Sequence, residues 1–156
     1  MIEIEIPGWR VLRLANLVLD FNGTLARDGL LLAGVRSRMD RLAGALAIHV
    51  VTGDTFGTAR AQLDTLPCHT MLLVSADQDL AKGRIVQELG AARTAAIGNG
   101  RNDCHMLKTA ALGIAVLGAE GTAAETVMAA DLVVRSPTTA LDLLLNPRRL
   151  VASLRR

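Results

Sequence analysis

The chain has 156 residues, of which 51% are apolar and only 2% aromatic, and its formal net charge is +2. This length fits a single domain, residues 1–156, with enough apolar side chains to bury a core without disulfides. The shortage of aromatic rings argues against nucleic-acid binding by base stacking. With no signal peptide, no apolar run of membrane-spanning length and two widely spaced cysteines, we expect a cytoplasmic protein that does not contact membranes.

Short apolar runs bounded by turn residues predict a series of buried strands. A small amino-terminal hairpin comes first, with extended segments over residues 2–6 and 11–14 joined by a Pro7-Gly8 turn. The predicted strands of the main sheet follow at residues 16–21, 47–52, 71–75, 94–98, 113–117 and 132–135.

Apolar residues at helical spacing fill the segments between these strands. Three stripes predict core-facing helices, and their members are Val35, Met39, Leu42 and Leu46; Ala59, Leu63 and Leu66; and Leu80, Ile85, Val86 and Leu89. Two further helices are predicted over residues 138–145 and from residue 148 onward. Strands that alternate with helices predict an α/β fold, with a three-layer, doubly wound and mainly parallel sheet.

Polar residues recur at the ends of the predicted strands. Asp20 ends the first strand of the main sheet, Thr52 ends the second, Lys82 opens the helix after the third, and residues 98–103 follow the fourth. Because the carboxyl ends of parallel strands meet at one edge of a sheet, we expect these groups to share a rim.

The chemistry of these groups suits phosphoryl transfer. A carboxylate such as Asp20 can attack phosphorus and form an acyl phosphate, while the Thr52 hydroxyl, the backbone N–H groups after it and the Lys82 ammonium bind the phosphoryl oxygens. The carboxylates of Asp20 and Asp103 are suited to a hard divalent cation, for which we expect Mg²⁺.

The order of these motifs, residues 20–24, 52–54, Lys82 and 98–103, resembles the haloacid dehalogenase superfamily of phosphohydrolases. Within that superfamily the chain is most similar to the phosphorylation domain of P-type ATPases, and the likeness is strongest over residues 77–134. The short interval between Asp20 and Thr52 leaves no room for the nucleotide-binding insertion of those pumps. The resemblance therefore implies a capless, Rossmann-like relative.

The resemblance also implies three overlapping sets of site residues. The catalytic residues are Asp20, Asn22, Thr52 and Lys82. The phosphate-binding residues are Thr52, Gly53, Lys82 and Asn102. The Mg²⁺ ligands are Asp20, Asn22, Asn99 and Asp103, with Asn22 contributing its main-chain carbonyl, which does not depend on the side chain.

Two asparagines depart from the superfamily pattern, because Asn22 and Asn99 each stand where an aspartate is usual. A positioned general acid or base contributes about 10²–10⁴-fold to rate, so we expect slow leaving-group protonation and slow hydrolysis of the aspartyl phosphate. The rate should be lowered least for anhydride and acyl-phosphate substrates, because their leaving groups need no proton. The neutral Asn99 should also weaken Mg²⁺ binding.

Several alternatives stay open from the sequence. The substrate is a phosphorylated small molecule or a phosphoprotein, and a homo-oligomer is an alternative way of covering the open site. A second functional hypothesis is a catalytically weak regulatory or partner-binding protein. Dinucleotide binding is a third hypothesis, but Gly98-x-Gly100 lacks the third glycine of that motif.

Three other residues receive structural interpretations. We expect Asp54 to cap a helix over residues 55–66, because Asp is a common N-cap residue. His49 lies in an apolar strand, which predicts a core histidine with its hydrogen bonds satisfied. Cys104 is expected to pack rather than to act as a nucleophile.

Overall fold

The computed structural model describes residues 1–74 and 76–156. In chain order the strands are β1 (Ile2–Ile6), β2 (Arg10–Leu14), β3 (Asn16–Leu19), β4 (Ala26–Arg27), β5 (Leu30–Leu31), β6 (Ala47–Thr52), β7 (His69–Leu72), β8 (Thr94–Gly98), β9 (Leu112–Val116) and β10 (Leu132–Val134). The predicted strand at 71–75 is shifted toward its amino end, and its last residue, Ser75, lies outside the described residues.

Six of these strands form the central sheet, in the order β10-β9-β8-β3-β6-β7, and every neighbouring pair is parallel. The strand that precedes Asp20, β3, lies in the middle, paired with β6 on one side and with β8 on the other. All six carboxyl ends therefore point to one edge of the sheet. The predicted mainly parallel sheet is confirmed.

The amino-terminal hairpin is also confirmed. Strands β1 and β2 pair antiparallel, with Ile6 opposite Arg10. Isoleucine and leucine side chains alternate with charged ones, so that Ile4 and Leu14 are buried whereas Glu3 and Arg13 form an exposed ion pair. Alternation of this kind is what gives a strand one buried and one solvated face.

A second, smaller hairpin was not predicted. Strands β4 and β5 pair antiparallel around Asp28 and Gly29, which have φ values of 51° and 75°. An Asp-Gly pair with both residues at positive φ is the preferred turn for a two-residue hairpin. Between β3 and β6 the described chain holds only this small sheet and one helix, and no separate cap unit.

The helices are α1 (Val35–Leu42), α2 (Ala59–Leu63), α3 (Gln78–Glu88), α4 (Cys104–Thr109), α5 (Ala124–Ala129), α6 (Pro137–Leu145) and α7 (Pro147–Leu154). The two final helices begin one residue before the predicted positions, each with proline as its first residue, where the missing N–H is harmless. The side chain of Ser136 accepts a hydrogen bond from the N–H of Thr139 and so caps α6. None of the described helices is long and apolar enough to span a membrane.

Two buried clusters lie on opposite faces of the sheet. On one face, β-strand residues such as Leu17, Leu19 and Val50 pack with α1, α6 and the amino-terminal hairpin. On the other face, Val18 and Val51 pack with α3 and α4. Because successive strand residues point to opposite faces, the four central strands β3, β6, β8 and β9 contribute to both clusters, and the predicted three-layer arrangement is confirmed.

Helix α3 differs from its predicted apolar stripe. Val86 is buried, but Leu80 is 42% exposed and the fully buried side chain in that first half of the helix belongs to Lys82. A lysine replaces an apolar residue on the inner face because α3 begins beside the carboxyl edge of the sheet, where two carboxylates are available to it.

His49 on β6 was expected to be satisfied, and this prediction is wrong. Its side chain is buried, yet neither ring nitrogen has a hydrogen-bond partner among the described residues. The ring stacks on that of His69 in β7, with centroids 5.2 Å apart. Burial, and secondly the neighbouring His69, lowers the pKa of His49, so the ring is held neutral within the strand pair.

Candidate active site

Asp20 is the first residue after β3 and begins a closed turn. Its N–H donates to the carbonyl of Ile97 on β8 at 3.0 Å, which extends the parallel pairing by one bond. The N–H groups of Thr24 and Ala26 then donate to the carbonyl of Phe21 at 3.2 and 2.9 Å. The turn thus holds the Asp20 carboxylate at the edge of the sheet, where it is only 5% exposed.

Gly23 lets this turn lie directly against the loop after β8. Its φ is 77°, and a Cβ at this position would lie 2.4 Å from Nδ2 of Asn99, so no larger residue fits without rearrangement. Thr24 donates through Oγ1 to Oδ1 of Asn99 at 3.0 Å, and Nδ2 of Asn99 donates to the carbonyl of Gly121 at 2.9 Å. Both polar atoms of Asn99 therefore bind protein groups and join the turn to this loop.

Lys82 connects the two buried carboxylates of the site. Its Nζ donates to Oδ1 of Asp20 at 2.6 Å and to Oδ1 of Asp103 at 2.7 Å. The lysine and Asp103 are completely buried. A single ammonium group on α3 thus bridges the residue after β3 and the loop before α4, in a low-dielectric environment where the interaction is strong.

Asp103 is held by further donors from its own loop. Its Oδ2 accepts hydrogen bonds from the N–H groups of Asn99 and Gly100 at 3.0 and 2.9 Å. A Cβ at Gly98 would lie 2.5 Å from Cγ of Asp103, so the glycine allows the carboxylate to fold back on its own backbone. Including Lys82, three donors fix the orientation of this carboxylate.

The same surroundings shift the ionisation of Asp20 and Lys82. Burial is the main cause that raises the pKa of Asp20 from 3.8 to about 6; the charge of Asp103 adds to it, whereas Lys82 and Thr24 act against it. Burial alone would lower the pKa of Lys82, but the carboxylates of Asp20 and Asp103 together outweigh it and raise that pKa. The lysine is therefore a permanent cation beside the nucleophile candidate.

The loop after β6 forms the next part of the rim. Thr52 is buried, and its Oγ1 accepts a hydrogen bond from the N–H of Asp54 at 3.0 Å. Oδ1 of Asp54 in turn accepts from the N–H of Ala59, the first residue of α2, at 2.8 Å. Asp54 therefore binds the first residue of α2, but it is not the N-cap residue as predicted: the helix begins at residue 59 and not at residue 55, and Thr58 occupies the N-cap position.

Gln78 links this loop to the loop after β8. Nδ2 of Asn102 donates to Oε1 of Gln78 at 3.1 Å, and a Cβ at Gly53 would lie 2.4 Å from Nε2 of Gln78. A cavity of about 310 Å³ opens beside this pair, lined by Ala76, Gln78, Asp79, Arg101 and Asn102. It is a recess next to the rim, with room for a small polar group.

Asn22, two residues after Asp20, has a side-chain oxygen without a hydrogen bond to the described residues. Its Oδ1 is buried and has no hydrogen-bond partner among the described residues, although its backbone forms a bridge with Ala26. A buried amide oxygen without a donor is uncommon in folded proteins, and an ordered water, an ion or a ligand can each supply the missing bond.

The structure thus brings Asp20, Lys82 and Asp103 into direct contact. Asn99 packs beneath the Asp20 turn, whereas Thr52 and Asn102 bind to Asp54 and Gln78 respectively and line the rim. Gln78 was not predicted to belong to the site. Its signal was its position four residues before Lys82, which places both on the same face of α3.

Cys104 lies at the end of this loop. Its Sγ is 3.3 Å from Oγ1 of Thr126, which donates to the carbonyl of Gly100 at 2.6 Å. These contacts connect α5 to the loop that carries Asp103. They agree with the expected packing role of the cysteine.

Comparison with known proteins agrees with this architecture. A family model described as haloacid dehalogenase-like hydrolase matches residues 78–139. The uncharacterized protein MJ0073 of Methanocaldococcus jannaschii is 45% identical over 82 residues, which are 50% of this chain and 88% of the relative. The chain belongs to the haloacid dehalogenase-like hydrolases.

Solved structures share the fold at low sequence identity. The 3-deoxy-D-manno-octulosonate 8-phosphate phosphatase of Moraxella catarrhalis, in complex with magnesium, phosphate and KDO, is 17% identical, with a TM-score of 0.71 over 91% of this chain and 94% of that one. The cobalt-bound YrbI phosphatase of Haemophilus influenzae is 16% identical, with a TM-score of 0.73 over 88% and 90% of the two chains. These likenesses confirm the Rossmann-like fold predicted from the motifs.

Proposed function

We propose that the protein is a Mg²⁺-dependent phosphohydrolase or phosphotransferase that acts through an aspartyl phosphate on Asp20. The observation that supports this most is the buried contact of Asp20, Lys82 and Asp103. Removing such groups from water costs several kcal/mol per ion, and apolar side chains would fill the space at no such cost. Their burial at the carboxyl edge of a parallel sheet favours a catalytic role.

Each residue has a defined part in this reaction. The Asp20 carboxylate attacks phosphorus, and Lys82 stays protonated and stabilises the charge on the phosphoryl oxygens. The Thr52 hydroxyl and the N–H groups of the loop after it, including Gly53, complete the phosphoryl site, with Asn102 on the opposite side of the rim. Asp103 holds Lys82 in place, so that the ammonium meets both carboxylates.

The oxygen atoms at and near Asp20 are of the type that binds a hard cation. No group of three or more His, Cys, Asp or Glu side chains is placed to hold a metal in the described part of the chain. Mg²⁺ needs only one or two carboxylates and keeps several waters. The ligands in this proposal are the Asp20 carboxylate, the main-chain carbonyl of Asn22 and the Asp103 carboxylate, whose two oxygens already accept hydrogen bonds from protein donors. When bound, Mg²⁺ supplies positive charge that neutralises the phosphoryl oxygens.

Asn99 fits the proposed ligand set less well. Its side-chain oxygen accepts from Thr24 and its nitrogen donates to Gly121, so its side chain is oriented by the protein. We assign Asn99 the role of positioning the turn that carries Asp20, and only a peripheral role toward Mg²⁺. Weak metal binding follows from the loss of a charged ligand at this position.

The substrate in this proposal is a phosphorylated small molecule or a phosphoprotein. The site lies at the rim of the sheet, beside a recess of about 310 Å³. A macromolecular substrate or a second copy of the chain would complete the exclusion of water that phosphoryl transfer favours.

Asp20→Asn provides the direct test of the mechanism. Hydrolysis of p-nitrophenyl phosphate should need Mg²⁺, stop on addition of EDTA and disappear in Asp20→Asn, while the exposed matched variant Asp40→Asn keeps full activity. Acid-quenched wild-type protein should gain the mass of one phosphoryl group. Undiminished hydrolysis by folded Asp20→Asn would remove Asp20 from the mechanism.

A weakly catalytic regulatory protein is the second candidate. The observation that favours it is that neither Asn22 nor Asn99 offers a charge to the site, and that Asn99 is bound by protein groups on both sides. The variant Asn22→Asp with Asn99→Asp should gain much activity from near zero if the function has been attenuated. High turnover of the wild type would reject this candidate; intact-mass measurement must accompany the assay because both asparagines precede glycine and are prone to deamidation.

A further inference from the structure

Two histidines form a pair outside the candidate active site. His49 on β6 and His69 on β7 are partners in the parallel register, so their side chains leave the sheet on the same face. Val51, two residues after His49, packs on that face with α3 and α4. His49 is three residues before Thr52, about 10 Å along the strand, so the pair is separate from the rim that holds Asp20.

The ring of His49 has two polar atoms and no hydrogen bond to the described residues. His49 is 7% exposed, and both its Nδ1 and its Nε2 are buried. A buried polar atom without a partner costs free energy, and valine or leucine would fill the same strand position without that cost. An ordered water, an ion or a ligand can supply the missing bond, and the neighbouring histidine favours an ion.

His69 supplies a second imidazole at a suitable distance. The centroids of the two rings are 5.2 Å apart. Two imidazoles that bind one tetrahedral ion, with metal–nitrogen bonds of about 2.0–2.1 Å, have ring centroids about 5 Å apart. His69 is exposed on the edge strand β7, which gives an ion a path to the pair and gives this ring room to turn its edge toward the ion.

The protonation state of His49 also suits metal binding, because neutral imidazole is the form that binds a metal ion. Burial, and secondly the neighbouring His69, lowers the pKa of His49, so the ring is already neutral at pH 7. Imidazole nitrogen suits Zn²⁺, Cu²⁺ and Ni²⁺, whereas Mg²⁺ prefers oxygen ligands. The pair therefore selects a different class of metal ion from the carboxylates at the rim.

We infer that His49 and His69 bind one transition-metal ion, such as Zn²⁺, between strands β6 and β7. No third His, Cys, Asp or Glu side chain is grouped with them in the part of the chain that the structure describes, so water molecules complete the coordination. The bound ion gives one nitrogen of His49 a partner and cross-links the edge strand to its neighbour. Because Cu²⁺ binds nitrogen ligands more tightly than Zn²⁺ does, the pair should bind Cu²⁺ with higher affinity.

Calorimetric titration with Zn²⁺ tests this site, with excess Mg²⁺ present to occupy the oxygen ligands at the rim. We expect one Zn²⁺ per chain. Binding should weaken by at least about 10-fold in His49→Gln and in His69→Gln, because losing even the hydrogen-bond partner of a ligand costs roughly 10–100-fold in metal affinity. His105→Gln, which removes an exposed histidine on α4, is the matched control and should bind Zn²⁺ as the wild type does. His69→Gln changes an exposed residue, so the test stays decisive if His49→Gln fails to fold.

NMR spectra of the imidazole rings provide a second readout, because the chain has only three histidines. Zn²⁺ should shift the ring Cε1–H signals of His49 and His69 together and leave the signal of His105 unchanged. Absence of binding up to millimolar Zn²⁺ and Cu²⁺ would overturn the inference, as would a shift of His69 alone. Binding that survives in both histidine variants but is lost in Cys68→Ser would place the ion on a thiol and would also overturn it.

Discussion

The two carboxylates that share Lys82 are held very differently. Asp103 lies in the loop after β8 and accepts hydrogen bonds from the lysine and from the N–H groups of Asn99 and Gly100. Asp20 lies in the turn after β3, where burial and the charge of Asp103 raise its pKa to about 6. Two residues further along, the amide oxygen of Asn22 has no partner within the described chain.

This difference distinguishes a firmly oriented carboxylate, Asp103, from the carboxylate that we propose as the nucleophile, Asp20. A carboxylate with three donors keeps its orientation, so Asp103 is suited to position other groups. A carboxylate with fewer donors and a raised pKa keeps its basicity, which a nucleophile needs.

Removal of the shared cation should have the largest effect. Lys82→Met leaves two buried carboxylates without their partner, and breaking a buried pair in this way costs about 3–5 kcal/mol. We expect the free energy of unfolding in urea to fall by that amount, whereas the exposed Lys108→Met on α4 stays close to wild type. A loss below about 1 kcal/mol would show that the carboxylates do not depend on Lys82.

The turn itself can be tested at Gly23. Gly23→Ala combines positive φ with overlap of its Cβ on Asn99, whereas Gly57→Ala has a similar φ of 67° and open space around it. The left-handed conformation costs about 1–2 kcal/mol at either site, and overlap adds about 1–3 kcal/mol at Gly23 alone. Equal losses of stability in the two variants would contradict the close packing of the turn against Asn99.

The raised pKa of Asp20 predicts a pH dependence in the metal-free protein. The folded-state pKa of about 6 lies above the ordinary 3.8, so the folded protein holds this proton more tightly than the unfolded chain. The resulting stabilisation is fully present below pH 4 and is lost as pH rises through 6. Relative to Asp20→Asn, the free energy of unfolding should fall by roughly 2–3 kcal/mol between pH 4 and pH 7 in EDTA. A constant difference would show that the pKa is not raised.

The smallest expected effect concerns the rim. Gln78→Ala removes one partly buried hydrogen bond to Asn102, which should lower the free energy of unfolding by about 0.5–1.5 kcal/mol. The exposed Gln87→Ala on the same helix is the control and should have almost no effect. If the two variants lose the same stability, the contact between Gln78 and Asn102 does not support the rim.

The regular part of the fold could be predicted from local pattern. Alternating charges and isoleucines indicated the β1–β2 hairpin, and apolar runs indicated the sheet, because both depend on spacing of side chains along one segment. The β4–β5 hairpin was missed although Asp28-Gly29 is a strong turn signal. Its strands have only two residues each, too few to show a hydrophobic pattern.

The residues of the site could be predicted from the sequence, but the contacts between them could not. The motifs named Asp20, Lys82 and Asp103, but the burial of the lysine depends on carboxylates 62 and 21 positions away in the sequence. The apolar spacing along α3 therefore predicted that Leu80 faces the core, but its side chain is exposed. Likewise, only the folded chain shows that Asn22 lacks a partner.

The central place of β3 also has a consequence for the order of folding. Asn16 pairs with Ala47 on one side and with Thr94 on the other, so the strand that precedes Asp20 is flanked by two segments remote from each other in sequence. Such non-local pairing slows folding because loop closure precedes the gain in contacts. During refolding, helical structure should return before hydrolytic activity. The rate at which activity recovers would then report the rate at which the central sheet is completed.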